Sequence, residues 1–75
     1  MKELITLIAK SLVDQPDQVV VTEETDEDTI RLELAVAPED MGKVIGKGGR
    51  IAKAIRTVVK AAATKTDKRV IVDIK

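Results

Sequence analysis

All four glycines of this 75-residue chain fall within eight positions, at Gly42, Gly46, Gly48 and Gly49, with Lys47 and Arg50 among and just after them. Glycines crowded in this way let the backbone come close to a ligand, because no Cβ stands in the way, and successive amides can then point at one anion. If a helix starts at Gly49 or Arg50, its positive end is aimed at the same spot, and Lys47 adds a full charge. The chemistry this implies is phosphate binding. A plain turn between two helices would be served by one or two glycines as a cap, and three in four positions exceed that need.

Two familiar nucleotide motifs do not fit. From Gly42 a Walker A loop would need glycine then lysine at positions that hold Lys47 and Gly48. From Gly46 a dinucleotide fingerprint would need glycine where Ile51 stands, and the loop follows a helical pattern rather than a strand. Other chemistry has few residues to work with. The chain has no cysteine, no histidine and no aromatic residue, so a disulfide framework, a thiolate metal site and the commonest general base are all missing. Ser11 is the only serine and has no histidine to activate it. Neither an enzyme, a metal nor a cofactor is expected.

Thirteen bases balance thirteen acids, but they are segregated. Residues 1–40 carry three bases and eleven acids, a net −8, and residues 41–75 carry ten bases and two acids, a net +8. A localised anion-binding surface follows from that asymmetry, not a general polycation.

The elements that must position the loop read as follows. Leu4, Ile5, Leu7, Ile8, Leu12 and Val13 have helical spacing, which predicts an amphipathic helix over 2–13, stopped by Pro16. That helix is too short and too interrupted for a membrane span, and no signal cleavage site follows it, so a cytoplasmic protein is expected. The β-branched run from Gln18 to Glu24 predicts a strand, Thr25 to Asp28 a polar turn, and the alternation of Ile30, Leu32, Leu34 and Val36 a second strand in an antiparallel hairpin. Pro38, Glu39 and Asp40 have helix-start chemistry, the acids sitting at the positive end of a short second helix. Ile51, Ile55, Val58 and Ala62 predict the inner face of a third helix from Arg50 to about Thr64, with Arg50, Lys53, Arg56 and Lys60 opposite. Val70 to Ile74 predicts a last strand, pairing parallel to the second after its helical crossover. The expected fold class is α+β: one domain over 1–75, α-β-β-α-α-β, a three-stranded mixed sheet with three helices packed on one face. A domain this small buries only about 60 to 65% of its unfolded surface, which leaves no room for a deep enzyme pocket.

The stretch from Val44 to Ile55 resembles the I-G-x-x-G-x-x-I-x-x-I signature of the KH domain, with the GxxG loop at Gly46, Lys47, Gly48 and Gly49. That loop clamps about four nucleotides of a single strand. A helix before the strands and none after the last resembles the type II, bacterial form, whereas type I carries its extra strand and helix at the C-terminal end. The whole chain is similar to the small free-standing KhpA-type RNA-binding proteins. That resemblance implies single-stranded RNA as partner, a role as an RNA chaperone, a heteromer with a KhpB (Jag)-type protein, and links to cell elongation and cell-wall homeostasis. Gly48 stands where more basic loops carry a charge, leaving Lys47 the only charge inside the loop.

In this geometry bases lie against aliphatic side chains, which fits a chain without aromatics. The groove candidates are Val44, Ile45, Ile51 and Ile55 on the helices, with Leu32 and Leu34 of the second strand nearby. Of these, Ile45 and Ile51 flank the loop and are the two expected to touch RNA. The full set of expected RNA-binding residues is Ile45, Gly46, Lys47, Gly48, Gly49, Arg50, Ile51 and Lys53. Arg56 and Lys60 are read as general attraction, and the acidic turn as a solvated tip that could repel RNA or meet a basic partner. The alternative is a protein-interaction module that forms a homodimer or docks a partner, with RNA incidental.

Overall fold

The computed structural model describes residues 1–64 and 66–75, so of the bases counted above Lys65 lies outside the described residues. Helix α1 covers Lys2–Leu12, strands β1 and β2 cover Val20–Thr25 and Thr29–Ala35, helices α2 and α3 cover Met41–Ile45 and Arg50–Ala62, and strand β3 covers Arg69–Ile74. The sheet order is β1-β2-β3. β1 and β2 are antiparallel, with Val20 opposite Ala35 and Thr25 opposite Ile30, and β3 runs parallel to β2, with Thr29 beside Arg69 and Leu34 beside Ile74. The expected α-β-β-α-α-β order, hairpin and parallel return are what the chain adopts. Its extents of 35 × 23 × 16 Å have room for one sheet and one helix layer.

Strand alternation decides which face is buried. Val21, Ile30, Leu32, Leu34, Val70 and Val72 turn one way and meet Ile5, Ala9, Val44, Ile55 and Val59 of the helices. Each fully buried aliphatic side chain contributes about 1.5–3 kcal/mol. The opposite face is polar, with Glu24 across from Arg31 and Lys75 bound to Glu33 at 2.7 Å.

The inner face of α3 differs from its sequence reading. Ala52, Ile55 and Val59 are buried, whereas Val58 is 43% exposed and Ala62 is also exposed. Both sets of positions satisfy a 3.6-residue period and share Ile55, so spacing alone left two overlapping faces roughly 65° apart to choose between. Small Ala52 of α3 and Ala63 just after it are also buried.

The end of α1 differs too. It stops at Leu12, and Val13 is already extended at φ −96° and ψ 158°. Pro16 instead opens a tight 3-10 turn, Pro16–Gln18. The cause is Asp40, whose carboxylate accepts the amides of Asp14 at 3.2 Å and Gln15 at 3.0 Å. Those two amides point at Asp40 instead of continuing the helix. Asp40 was expected to face the positive end of α2, but its side chain makes no bond to that helix's amides. It is 1% exposed, the one buried charged residue in the described chain. Lys43 bonds Asp14 and stands 4.0 Å from Asp40, completing a charged latch between the end of α1 and the start of α2.

Removing one partner of a buried charge-assisted bond leaves the other unsatisfied, at about 1–3 kcal/mol each. Asp40→Ala is therefore expected to lower unfolding stability by about 3 kcal/mol, Asp40→Asn by roughly half of that, and exposed Lys43→Ala by less than about 1 kcal/mol. Urea denaturation checks the ranking, and an equal loss for Asp40→Ala and Lys43→Ala would contradict it.

Stability should also be flat with pH over the neutral range. The bond from Lys75 holds the Glu33 carboxyl below its usual range, and amides of Asp28 and Thr29 do the same for Asp26. Lowered carboxyl pKa values give stability that is present above the unfolded value and lost as pH falls through the folded one. The bond to Asp14 raises the Lys43 pKa and the bond to Glu33 raises that of Lys75, so their contribution is present below the unfolded value and lost as pH rises through the folded one. With no histidine, a plateau between about pH 5 and 9 is expected in denaturation midpoints.

Candidate functional site

The glycine loop is a left-handed corner between two helices. α2 ends as the Gly46 amide bonds the Gly42 carbonyl at 2.9 Å. Gly46, Gly48 and Gly49 then take φ of 76°, 65° and 78°. At Gly46 the requirement is double. Its ψ of 172° puts it in a region reserved for glycine, and a Cβ there would stand 2.7 Å from Cγ1 of Ile51 and 3.0 Å from the Ile51 nitrogen. At Gly48 and Gly49 an added Cβ would meet nothing within 4 Å. Their surroundings are open, which is what a loop that admits a ligand needs.

The amides divide into two groups. Gly49 N–H bonds the Gly46 carbonyl at 3.1 Å and Arg50 N–H bonds the Lys47 carbonyl, closing the turn. The N–H groups of Lys47 and Gly48 have no partner among the described residues. They precede α3, a 13-residue helix whose N-terminal end has no side-chain cap. Two free amides, the positive end of a helix, and the exposed cations Lys47, Arg50 and Lys53 thus fall within the one stretch from 47 to 53. None of the three cations has an acid within 4.0 Å among the described residues. An anion here would meet donors already oriented.

All eight expected site residues lie in this loop or the helix turns beside it. Ile45 is 36% exposed, and Ile51 is half-buried, packed on the core beneath Gly46. The other aliphatic candidates are corrected. Val44, Leu32 and Leu34 are 0% exposed and Ile55 is 2% exposed, so these four are core and line no groove. β2 is the central strand, with its apolar face covered by helices, and the strand with a free edge beside α3 is β3. Ser11 is spent locally, its hydroxyl donating to the Leu7 carbonyl at 2.8 Å.

The sequence reading missed a cleft of about 650 Å³ between the C-terminal half of α3 and β3. Arg56, Lys60, Lys68 and Arg69 contribute its charges, and the β3 backbone from Val70 to Val72 forms one wall. Arg69 N–H bonds the Asp28 carbonyl and Lys75 N–H bonds the Leu34 carbonyl, both at 2.8 Å. Odd positions of β3 therefore face β2, and Val70, Val72 and Ile74 turn their backbone groups to the open edge. Arg56 Nε reaches the Val72 carbonyl there at 3.4 Å. Arg56 lies about 9 Å along α3 from Arg50, so the exposed side of the helix joins loop to cleft. The 56/60 spacing and the strand at Val70 to Ile74 were both visible in the sequence, but their adjacency was not.

A family model for the KH domain of KhpA and KhpB matches residues 2–74. Among curated proteins, the RNA-binding protein KhpA of Clostridium acetobutylicum is 72% identical over 99% of both chains, and that of Clostridium perfringens 69% identical over the same shares. The RNA-binding protein KhpA of Listeria monocytogenes is 53% identical over 99% of this chain and 97% of its own. No solved structure matches the chain.

Adding a methyl group to these glycines should separate their roles. Gly46→Ala combines backbone strain with overpacking against Ile51 and is expected to cost about 3 kcal/mol or more. Gly48→Ala meets no atoms and should cost about 1–2 kcal/mol from its positive φ alone. Equal losses in chemical denaturation would show that the Ile51 contact does not constrain the loop.

Proposed function

The chain belongs to the KhpA/KhpB family of KH domains, and on that premise and the loop geometry we propose that it binds single-stranded RNA through a GxxG phosphate clamp. The supporting observation is the pair of amides at Lys47 and Gly48, free among the described residues and set before the uncapped end of α3, with Lys47, Arg50 and Lys53 in no ion pair among those residues. A backbone phosphate sits on those amides, Lys47 and Arg50 add charge, and Lys53 continues the track along α3. Bases lie against Ile45 and Ile51, where dispersion replaces aromatic stacking, and reach the open backbone edge of β3, whose N–H and C=O groups can pair with base edges. Such binding holds a strand in place without changing its bonds, so the role is that of an RNA chaperone and not of an enzyme.

A small groove gains from pairing with a second RNA-binding domain, because the second contact becomes intramolecular. A KhpB (Jag)-type protein is the proposed partner, in the cytoplasm, with cell elongation and cell-wall homeostasis as the processes served. The alternative of a self-associating module is favoured by exposed aliphatic side chains, Leu7 at 67%, Val20 at 57% and Val58 at 43%. Light scattering behind size exclusion separates the two: a dimer that binds no RNA at any salt concentration supports the module.

The clamp is tested by replacing Lys47 and Gly48 together with aspartate. Gly48 has open space around it, and aspartate tolerates its left-handed backbone better than most residues, so circular dichroism should show the fold retained. RNA binding should be abolished, and unchanged affinity would overturn the clamp. With about two phosphates neutralised, the wild-type slope of log K against log salt should be roughly −1.4.

A further inference from the structure

From Met41 to Thr66 the chain holds seven bases and no acid. Within it the glycine loop and α3 carry Lys47, Arg50, Lys53, Arg56 and Lys60, so the side-chain charge along the proposed track has one sign from the clamp to the cleft. It reverses abruptly at the far end. Asp67 follows, and the β1–β2 turn brings Asp26, Glu27 and Asp28 to the same place, because the Arg69 amide bonds the Asp28 carbonyl at 2.8 Å. Lys68 and Arg69, which line the basic cleft with Arg56 and Lys60, also line a second cleft of about 630 Å³ shared with Asp28 and Asp67.

We infer that this acidic turn is a charge stop, ending the RNA track at Lys68 and Arg69 and limiting the bound segment to about the four nucleotides a KH groove takes. The inference rests on the RNA-binding reading above and adds a determinant of ligand length. Asp26, Glu27, Asp28 and Asp67, with Glu24 beside them, outnumber Lys68, Arg69 and Arg31 at this end, so a phosphate carried past Arg69 enters a net negative field. The turn is held firmly enough to present that field. The Asp26 carboxylate accepts the amides of Asp28 at 2.9 Å and Thr29 at 2.8 Å, and the Asp26 amide bonds the Thr29 carbonyl at 2.9 Å. Those two amide bonds, with Lys68 and Arg31 nearby, keep Asp26 below the usual carboxylate range. Neither Lys68 nor Arg69 is within 4.0 Å of an acid among the described residues. The cations are thus not neutralised in place, and the acids act on what lies beyond them.

The test uses the full chain with Glu27→Gln, Asp28→Asn and Asp67→Asn combined, Asp26 being left intact for its bonds in the turn. Binding of oligouridine of four and of twelve nucleotides is compared with that of the unmodified chain at each length, which cancels the number of registers. Affinity for the short probe should change by less than about twofold, and that for the long probe should rise by about fivefold at low salt and return to the wild-type value at high salt. The salt slope for the long probe should steepen by about 0.7 for each added phosphate. Equal tightening at both lengths, or none at either, overturns the charge stop. Glu27→Gln alone, a side chain with no hydrogen bond among the described residues, is the milder variant should the triple one unfold, with the same length dependence at smaller size. Failure of the wild-type chain to bind either probe overturns the RNA reading itself, which is a different outcome from a wild type that binds and a variant that gains nothing.

Discussion

At Gly46 the backbone passes over Ile51 so closely that a Cβ would stand 2.7 Å from the Ile51 side chain. Several features of the site follow from that approach. α2 ends there because the next step is left-handed, and α3 begins four residues later because two more glycines continue the corner. The bonds that close the corner use the amides of Gly49 and Arg50, which leaves those of Lys47 and Gly48 without a partner among the described residues. Ile51 is packed against the core on its other side. The loop is therefore tied to the hydrophobic core through Ile51 on one side and Val44 on the other, and a ligand meets donors that need little reordering on binding.

A second fixed point lies at the other end of α2. Asp40 draws two amides from the chain after α1 and keeps its charge close to Lys43. A buried charge is costly unless bonded, and here the carboxylate oxygens are met by amide donors. The five residues of α2 are thus held at both ends, by a polar latch before them and a glycine corner after them. Lys43, although it belongs to the basic half of the chain, is engaged by Asp14 and Asp40. Its charge is held by the fold, unlike those of Lys47, Arg50 and Lys53.

Net neutrality and local charge are separate properties in this molecule. Acids occupy the hairpin and the latch, and bases occupy α3 and the beginning of β3. The sheet order then sets the two against each other at one place, because parallel pairing of β3 with β2 brings the start of β3 beside the hairpin turn. A chain with the same composition but another strand order would not have that boundary.

The sequence by itself determined the features that depend on near neighbours. The alternation of Ile30, Leu32 and Leu34 makes a half-buried strand wherever it pairs, and glycine at 46, 48 and 49 permits a corner that few other residues could make. Element order, the loop, its flanking cations and the uneven charge were legible for that reason. Contacts across long separations were settled only by the tertiary structure. The inner face of α3 depended on which of two equally spaced sets met the sheet. The end of α1 depended on a carboxylate 26 residues from Asp14. The place of β2 between β1 and β3 was expected from the hairpin and the parallel return, but its consequence, full burial of Leu32 and Leu34 and a free β3 backbone beside α3, appeared only in the assembled layers. Burial and edge exposure belong to the assembled layers, and no local window of residues contains them.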